Sequence, residues 1–410
     1  MPQKAKSLRM ARNERRRKIR NSPDRRLRVV AKLRRLVGVM IIVISALTIT
    51  INGPKINANS ISEFMSYFWA GIDDSQEGTY IDYQALNVSV VKPFNQGVVV
   101  ADNDSISIVT SGGVRLKTNL GYTSPAVLTS ERYVLAYDKN GNGAVLTSNV
   151  AEASRQKTES SILTAALGQT GDYALITNES GYKTAITVYT SGGKQRFKWA
   201  TPDYYFVSCA ISPDGSKLAV ASFGSTKDAK LEGKLFLRDL SNEKNIKEVS
   251  LNSNVPLAVG FLDNASVVVI GDYSTSVINQ KGEIVSELTY APDDLIAFSY
   301  STNEIAVAVR SYSSNARTAV YIIGSHGVSK NKLEISQEIQ AMDYDGSRIA
   351  LLTSSGLTVY NSSMRALWRN ESAVGAQMIN LANDGGVWLI YSKQAEHVST
   401  SSDTSEDLKS

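Results

Sequence analysis

The stretch SCAISPDGSKLAVAS, residues 208–222, reads as one apolar strand, a tight turn and a second strand that is apolar on both faces. Asp214-Gly215 supplies the positive φ that such a turn requires. The same sentence recurs as AMDYDGSRIALLT (341–353) and NLANDGGVWLIYS (380–392). Reduced to its second strand, the unit can be followed through the chain as GVVVA (97–101), YVLAY (133–137), YALIT (173–177), KLAVAS (217–222), SVVVIG (266–271), EIAVAV (304–309), RIALLT (348–353) and GVWLIY (386–391). Between Val99, Leu135, Leu175, Val220, Val268, Val307, Leu351 and Leu389 the steps are 36, 40, 45, 48, 39, 44 and 38.

A period near 40 accommodates four short strands. After each marker comes a third strand and another turn, usually containing Gly, as in SIVTSGGVRLK (107–117), TVYTSGGKQRFKW (187–199) and TVYNSSMRALWR (358–369). Four antiparallel strands repeated around an axis form a β-propeller, which protects the sheet edges an open array would expose. Tandem β-sandwiches do not predict one four-strand unit recurring so evenly. The eighth pair runs out of chain soon after Tyr391, and the extended residues 79–85 can supply its missing outer strand. That closure favours an all-β, eight-bladed propeller. Seven blades is the alternative if the first or last pair belongs to an incomplete unit.

Charge divides the chain sharply. Residues 1–35 hold fifteen Lys/Arg against two acids, a surplus of 13; the other 375 residues hold 29 bases against 37 acids, a deficit of 8. The basic balance of the whole therefore describes a short tail, and the acidic body is not built to bind nucleic acid. Cys209 is the only cysteine, which excludes an intrachain disulfide, a thiol zinc cluster and a dithiol redox site.

Residues 36–51, LVGVMIIVISALTITI, carry no charge. As a helix they cover about 24 Å, and about 27 Å through Gly53, close to a hydrocarbon core of roughly 30 Å. The Lys/Arg cluster on the N-terminal side, with only Lys55 near the other end, places residues 1–35 in the cytoplasm and the C-terminal domain outside the cell. A cleaved signal peptide is the competing reading, but NGPKINANS (52–60) offers no convincing small-x-small site close to the apolar run. The tail is expected to hug the anionic inner leaflet. Ser60 and Glu63 form a capping box ahead of Ile61, Phe64, Met65, Phe68 and Trp69. The expected organisation is a basic tail (1–35), a transmembrane helix (36–53), a linker with a short amphipathic helix (54–78), an extracellular propeller (79–398) and a disordered polar tail (399–410).

The SPDG turn before a strand resembles those of WD40-like and TolB-like propellers, and SGGKQRFKW (191–199) and NSSMRALWR (361–369) resemble the turn and outer strand of PQQ-like repeats. With its tail and span, the layout resembles a family of membrane-anchored propeller proteins from Gram-positive bacteria. The resemblance implies a fold and a compartment, and no reaction.

Catalytic constellations are missing from the sequence. The two histidines, His326 and His397, sit in no nucleophile arrangement, and there is no G-x-S-x-G elbow. Quinone-dependent chemistry is accompanied in PQQ-like enzymes by a cysteine pair that this chain cannot form. Asp138, Asn140 and Asn142 start like a calcium loop, but its twelfth position is Asn149 where a bidentate Glu is expected. No catalytic residue, metal or cofactor is therefore assigned. The connections NESGYKT (178–184), FGSTKDAKLEGK (223–234) and SYSSNAR (311–317) share one propeller face with the links between blades at 121–125, 201–205 and 290–294. That face collects Tyr122, Tyr182, Tyr204, Tyr205, Phe223, Tyr290 and Tyr312, expected on irregular backbone, a mix suited to recognition unless the rings merely cap blade interfaces. The sequence points to a non-enzymatic, membrane-tethered scaffold or sensor for a cell-envelope protein, peptide or glycan. The alternative is an extracellular hydrolase or lyase acting on cell-wall polymer.

Overall fold

The computed structural model describes residues 80–400, apart from 96, 150, 227, 229, 242–244, 314 and 329–331. They belong to the second of two compact units, Ser75–Ser410. The expected basic tail, membrane span and amphipathic helix, and residues 401–410 of the expected C-terminal tail, lie outside the described residues. Among the described residues no helix is long and apolar enough to cross a membrane.

Eight antiparallel sheets follow one another along the chain. Blade 1 is Val90–Phe94, Gly97–Ala101, Ser105–Thr110 and Gly113–Asn119, and blade 2 is Pro125–Thr129, Tyr133–Asp138, Gly143–Ser148 and Glu152–Lys157. Ile162–Leu167, Tyr173–Glu179, Tyr182–Tyr189 and Gln195–Thr201 make blade 3; Tyr204–Ile211, Lys217–Ser225, Leu231–Asp239 and Asn245–Ser250 make blade 4. Blade 5 is Pro256–Phe261, Ser266–Gly271, Ser274–Asn279 and Ile284–Thr289. Blade 6 is Leu295–Tyr300, Glu304–Arg310 and Thr318–Gly324, with an outer edge split into Gly327–Val328 and Leu333–Ile335. Ile339–Tyr344, Arg348–Thr353, Gly356–Asn361 and Ala366–Asn370 form blade 7. Blade 8 takes Met378–Leu381, Val387–Ile390 and Gln394–Val398 from the end of the chain and its fourth strand, Tyr80–Asp82, from the beginning.

The chain is thus an eight-bladed propeller closed by the segment that the sequence marks for that role. The second strands are buried along both faces, which explains why each reads as an unbroken apolar run. Outer strands such as Gly113–Asn119 are mostly exposed. Eight apolar clusters lie between the blades, one for every pair of neighbours, and the eighth joins Trp388, Ile390 and Ala395 of blade 8 to Val98, Val100 and Val109 of blade 1. Ile81 and Tyr83, each 1% exposed, belong to that closing cluster. The Tyr83 hydroxyl reaches the carbonyls of Tyr391 at 2.5 Å and Gln394 at 2.7 Å.

Three of the first-to-second strand turns are built alike. Gly215, Gly346 and Gly385 take φ of +71°, +96° and +95°, and the Asp before each accepts a backbone N–H two residues on, from Ser216, Ser347 and Gly386. These turns are tied to the next blade. The Arg196 guanidinium bonds Asp172 and the Gly215 carbonyl, and that of Arg348 reaches the carbonyls of Ala382 and Gly385. Because Asp82 stands opposite Gln394, Tyr80 and Val398 both lie at this tight-turn face, where the described chain enters and ends. The opposite face is free of both.

Candidate binding face

The face opposite the chain ends carries the second-to-third strand connections and the links between blades. Its central feature was not visible in the sequence. In five consecutive blades the innermost strand carries a β-bulge at the same register, inserting Leu163, Val207, Leu257, Ile296 and Gln340. Bulges re-aim a side chain, and an exposed side chain on an innermost strand looks into the central channel or its mouth. Leu257 is 51% exposed, Gln340 is exposed and the other three are partly so. Blades 1, 2 and 8 keep a regular register there.

Each of the seven aromatic candidates has a distinct place. Tyr182, Tyr204, Tyr205 and Phe223 lie at strand ends rather than on irregular backbone: 178–184 is a hairpin with a two-residue turn, because Gly181 accepts φ +82° and the strands run on to Glu179 and from Tyr182. Tyr122, Tyr290 and Tyr312 are on connections. Tyr122 is buried, its ring packed where Gly143 has no Cβ; an added Cβ would come within 2.3 Å of the ring. Its hydroxyl finds no partner among the described residues, and burial raises its pKa. Tyr290 is half-buried and bonds the Gly271 carbonyl at 2.9 Å and Thr275 Oγ1 at 3.0 Å. Tyr204 packs edge-on against Phe236 with the Lys234 ammonium over its ring. Tyr122, Tyr204 and Tyr290 each pack against a cluster that lies between two blades. Tyr182, Tyr205 and Tyr312 are exposed, and Phe223 partly so, stacked on Tyr205 at 5.4 Å. The Tyr312 hydroxyl donates to Asp294 Oδ1 at 2.7 Å.

Two acids of this face, Asp138 and Asp272, serve the backbone. Asp138, first residue of the calcium-like stretch, accepts the N–H groups of Thr123 and Ser124 at 3.0 and 2.8 Å. Asn142 binds the Thr158 carbonyl. The stretch thus staples the two links beside blade 2. Asp272 accepts from Val255 N in the same way. Among the described residues no group of three or more His, Cys, Asp or Glu is placed to hold a metal ion. Cys209 is buried, and burial pushes its thiol up to about 12, so no thiolate nucleophile is available.

One carboxylate stands apart. Asp343, on the innermost strand of blade 7, accepts the Ser299 hydroxyl of blade 6 at 2.9 Å and the Leu381 N–H of blade 8 at 2.7 Å. It bridges three blades at the channel. Desolvation raises its pKa despite those hydrogen bonds. The native state thus holds the proton more tightly than the unfolded chain does, so this contribution to stability is complete below the unfolded value of about 3.9 and is lost as pH rises through the native value. Asp343→Asn keeps the bond from the Leu381 N–H, lets the Ser299 hydroxyl accept where it now donates, and removes that slope. Its urea midpoint relative to the natural chain is expected to improve from pH 4 to pH 7; a difference that does not change with pH would exclude a desolvated carboxylate here.

Residues 76–399 match the sequence profile of DUF5711, a family of unknown function. The chain belongs to that family. No curated protein matches it. Among solved structures it is similar to Saccharomyces cerevisiae Sqt1, with a TM-score of 0.52 and 12% identity over 79% of this chain and 99% of that one. The WD40 domain of Neurospora crassa Pan2 matches at a TM-score of 0.44 and 8% identity, covering 68% of this chain and 89% of that one. Hsv2 of Kluyvelomyces marxianus gives a TM-score of 0.43 and 13% identity, covering 66% of this chain and 90% of that one. At such identities the likeness is one of fold alone.

Proposed function

We propose that this DUF5711 chain is a membrane-tethered, non-enzymatic scaffold or sensor whose propeller lies outside the cell and binds a cell-envelope protein, peptide or glycan on the face opposite its chain ends. The observation that carries the reading is the pairing of two features: exposed rings at Tyr182, Tyr205 and Tyr312 on the face where the innermost strands bulge, and both ends of the described chain on the other face. Tyr80 and Val398 thus lie on the face away from those rings. The uncharged stretch at 36–53, behind fifteen Lys/Arg, supports the membrane and the orientation.

A photo-crosslinking side chain at position 312 in living cells is expected to capture a defined partner, whereas one at position 284, on an outer strand, should not. Tyr205→Ala should lower that capture about tenfold, the scale of an interface anchor, without changing the unfolding midpoint by much. Equal capture from both positions would exclude the face. Protease added to intact cells should cut the propeller before the tail; the reverse order would overturn the orientation.

A further inference from the structure

We propose, resting on that reading of the face, that its recognition site is centred on Tyr205, with Phe223, Val207, Leu257 and Lys183 around it, and takes an extended peptide segment in which an apolar side chain adjoins a carboxylate. Tyr205 is 44% exposed although it sits on an innermost strand, and Phe223, its partner across the hairpin, stacks on it at 27° between ring planes. A ring held this way is a rigid anchor that loses little entropy on binding. The Ser208 hydroxyl accepts the Val259 N–H, which sets blades 4 and 5 in register and brings the bulge residues Val207 and Leu257 to the same level. The apolar surface therefore runs from Tyr205 across two blades at the channel mouth.

Lys183 supplies the charge. Its ammonium lies 4.9 Å from the centre of the Tyr205 ring and donates to the Asp203 carbonyl at 2.9 Å. Its neighbours are paired differently: Lys198 meets Glu179 at 3.0 Å and Lys234 meets Glu248 at 2.6 Å. No carboxylate lies within ion-pair distance of Lys183 among the described residues. An ammonium beside an apolar surface, without an internal counter-ion, is complementary to a ligand carboxylate next to an apolar group. Phe223 stacked on Tyr205 and the Lys183 ammonium over its ring crowd the surface on which a sugar would lie flat. The exposed edge and the aliphatic bulge residues suit a side chain inserted from an extended backbone instead.

The test uses the full chain in lipid nanodiscs and a phage-displayed library of random heptapeptides. Enriched sequences are expected to carry Asp or Glu within two positions of Leu, Ile, Met or Phe. Tyr205→Ala should reduce enrichment at least tenfold. Lys183→Glu should reverse the charge preference toward Lys or Arg, with circular dichroism and the unfolding midpoint as controls for folding. No enrichment, or a preference that survives Lys183→Glu unchanged, overturns the proposal. If capture from position 312 in cells persists while the library stays unenriched, the binding face stands and the peptide class falls. Retention of wall oligosaccharide by the same nanodiscs, abolished by Tyr205→Ala, would identify a glycan ligand and also overturn it.

Discussion

Replacing Ile81 with Asp should destabilise the propeller by about 4 kcal/mol or more, combining the lost burial of an isoleucine with the cost of an unpaired carboxyl group in an apolar site. Ile81 is 1% exposed on a strand of only three residues, paired to Ala395, and its side chain sits in the cluster that joins blade 8 to blade 1. Among the described residues no other segment closes the ring. Opening that seam exposes both halves of the cluster, so the loss should appear as a single cooperative shift of the urea midpoint with Ile81→Val as the mild control at about 1 kcal/mol. In a seven-bladed arrangement residues 80–82 would hang free, and Ile81→Asp would change the midpoint by less than about 0.5 kcal/mol, as at an ordinary surface position. That result would remove the eight-bladed closure.

The closing strand was legible because it is a local pattern plus a count: an extended segment ahead of the first strand pair and a last unit lacking one strand. The second strands were legible for an equally local reason, since a strand buried on both faces needs no alternation. Less could be read where pairing across the blade decides the outcome. The bulges at Leu163, Val207, Leu257, Ile296 and Gln340 are differences in register between two strands, and a one-residue slip leaves no trace in either strand alone. Tyr122 and Tyr205 illustrate the limit on the site. Both are aromatic residues next to turns, yet one ring is buried over a glycine and the other is exposed over a phenylalanine. Gly143, immediately after Asn142, was the available signal: a glycine where a strand begins marks the close approach of something large. The seven-residue set therefore divides between Tyr122, Tyr204 and Tyr290, which pack against clusters between blades, and Tyr182, Tyr205, Phe223 and Tyr312, whose rings are exposed or partly so.

The second large effect is expected at Trp199, on the outer strand of blade 3. Its ring packs against Phe206 at 4.6 Å and edge-on to Phe236 at 5.0 Å, both from blade 4, and the Arg238 guanidinium lies 3.9 Å from its centre. Trp199→Ala removes the largest side chain from the seam between these blades and should cost about 3 kcal/mol, the lower end for tryptophan because the ring is only partly buried. Arg238 gives the loss a second component. Desolvation lowers its pKa, and its Nε has no hydrogen-bond partner among the described residues, so the face of the indole is its principal compensation for lost water. Removing the ring strands that charge. Arg238→Met, which retains the stem and discards the charge, should be nearly neutral in a Trp199→Ala background and cost about 1 kcal/mol alone. The two substitutions together should then cost about 1 kcal/mol less than their sum, measured by urea unfolding of the four proteins of the cycle. Strict additivity would mean that the guanidinium gains nothing from the ring and that the seam is held by apolar packing alone.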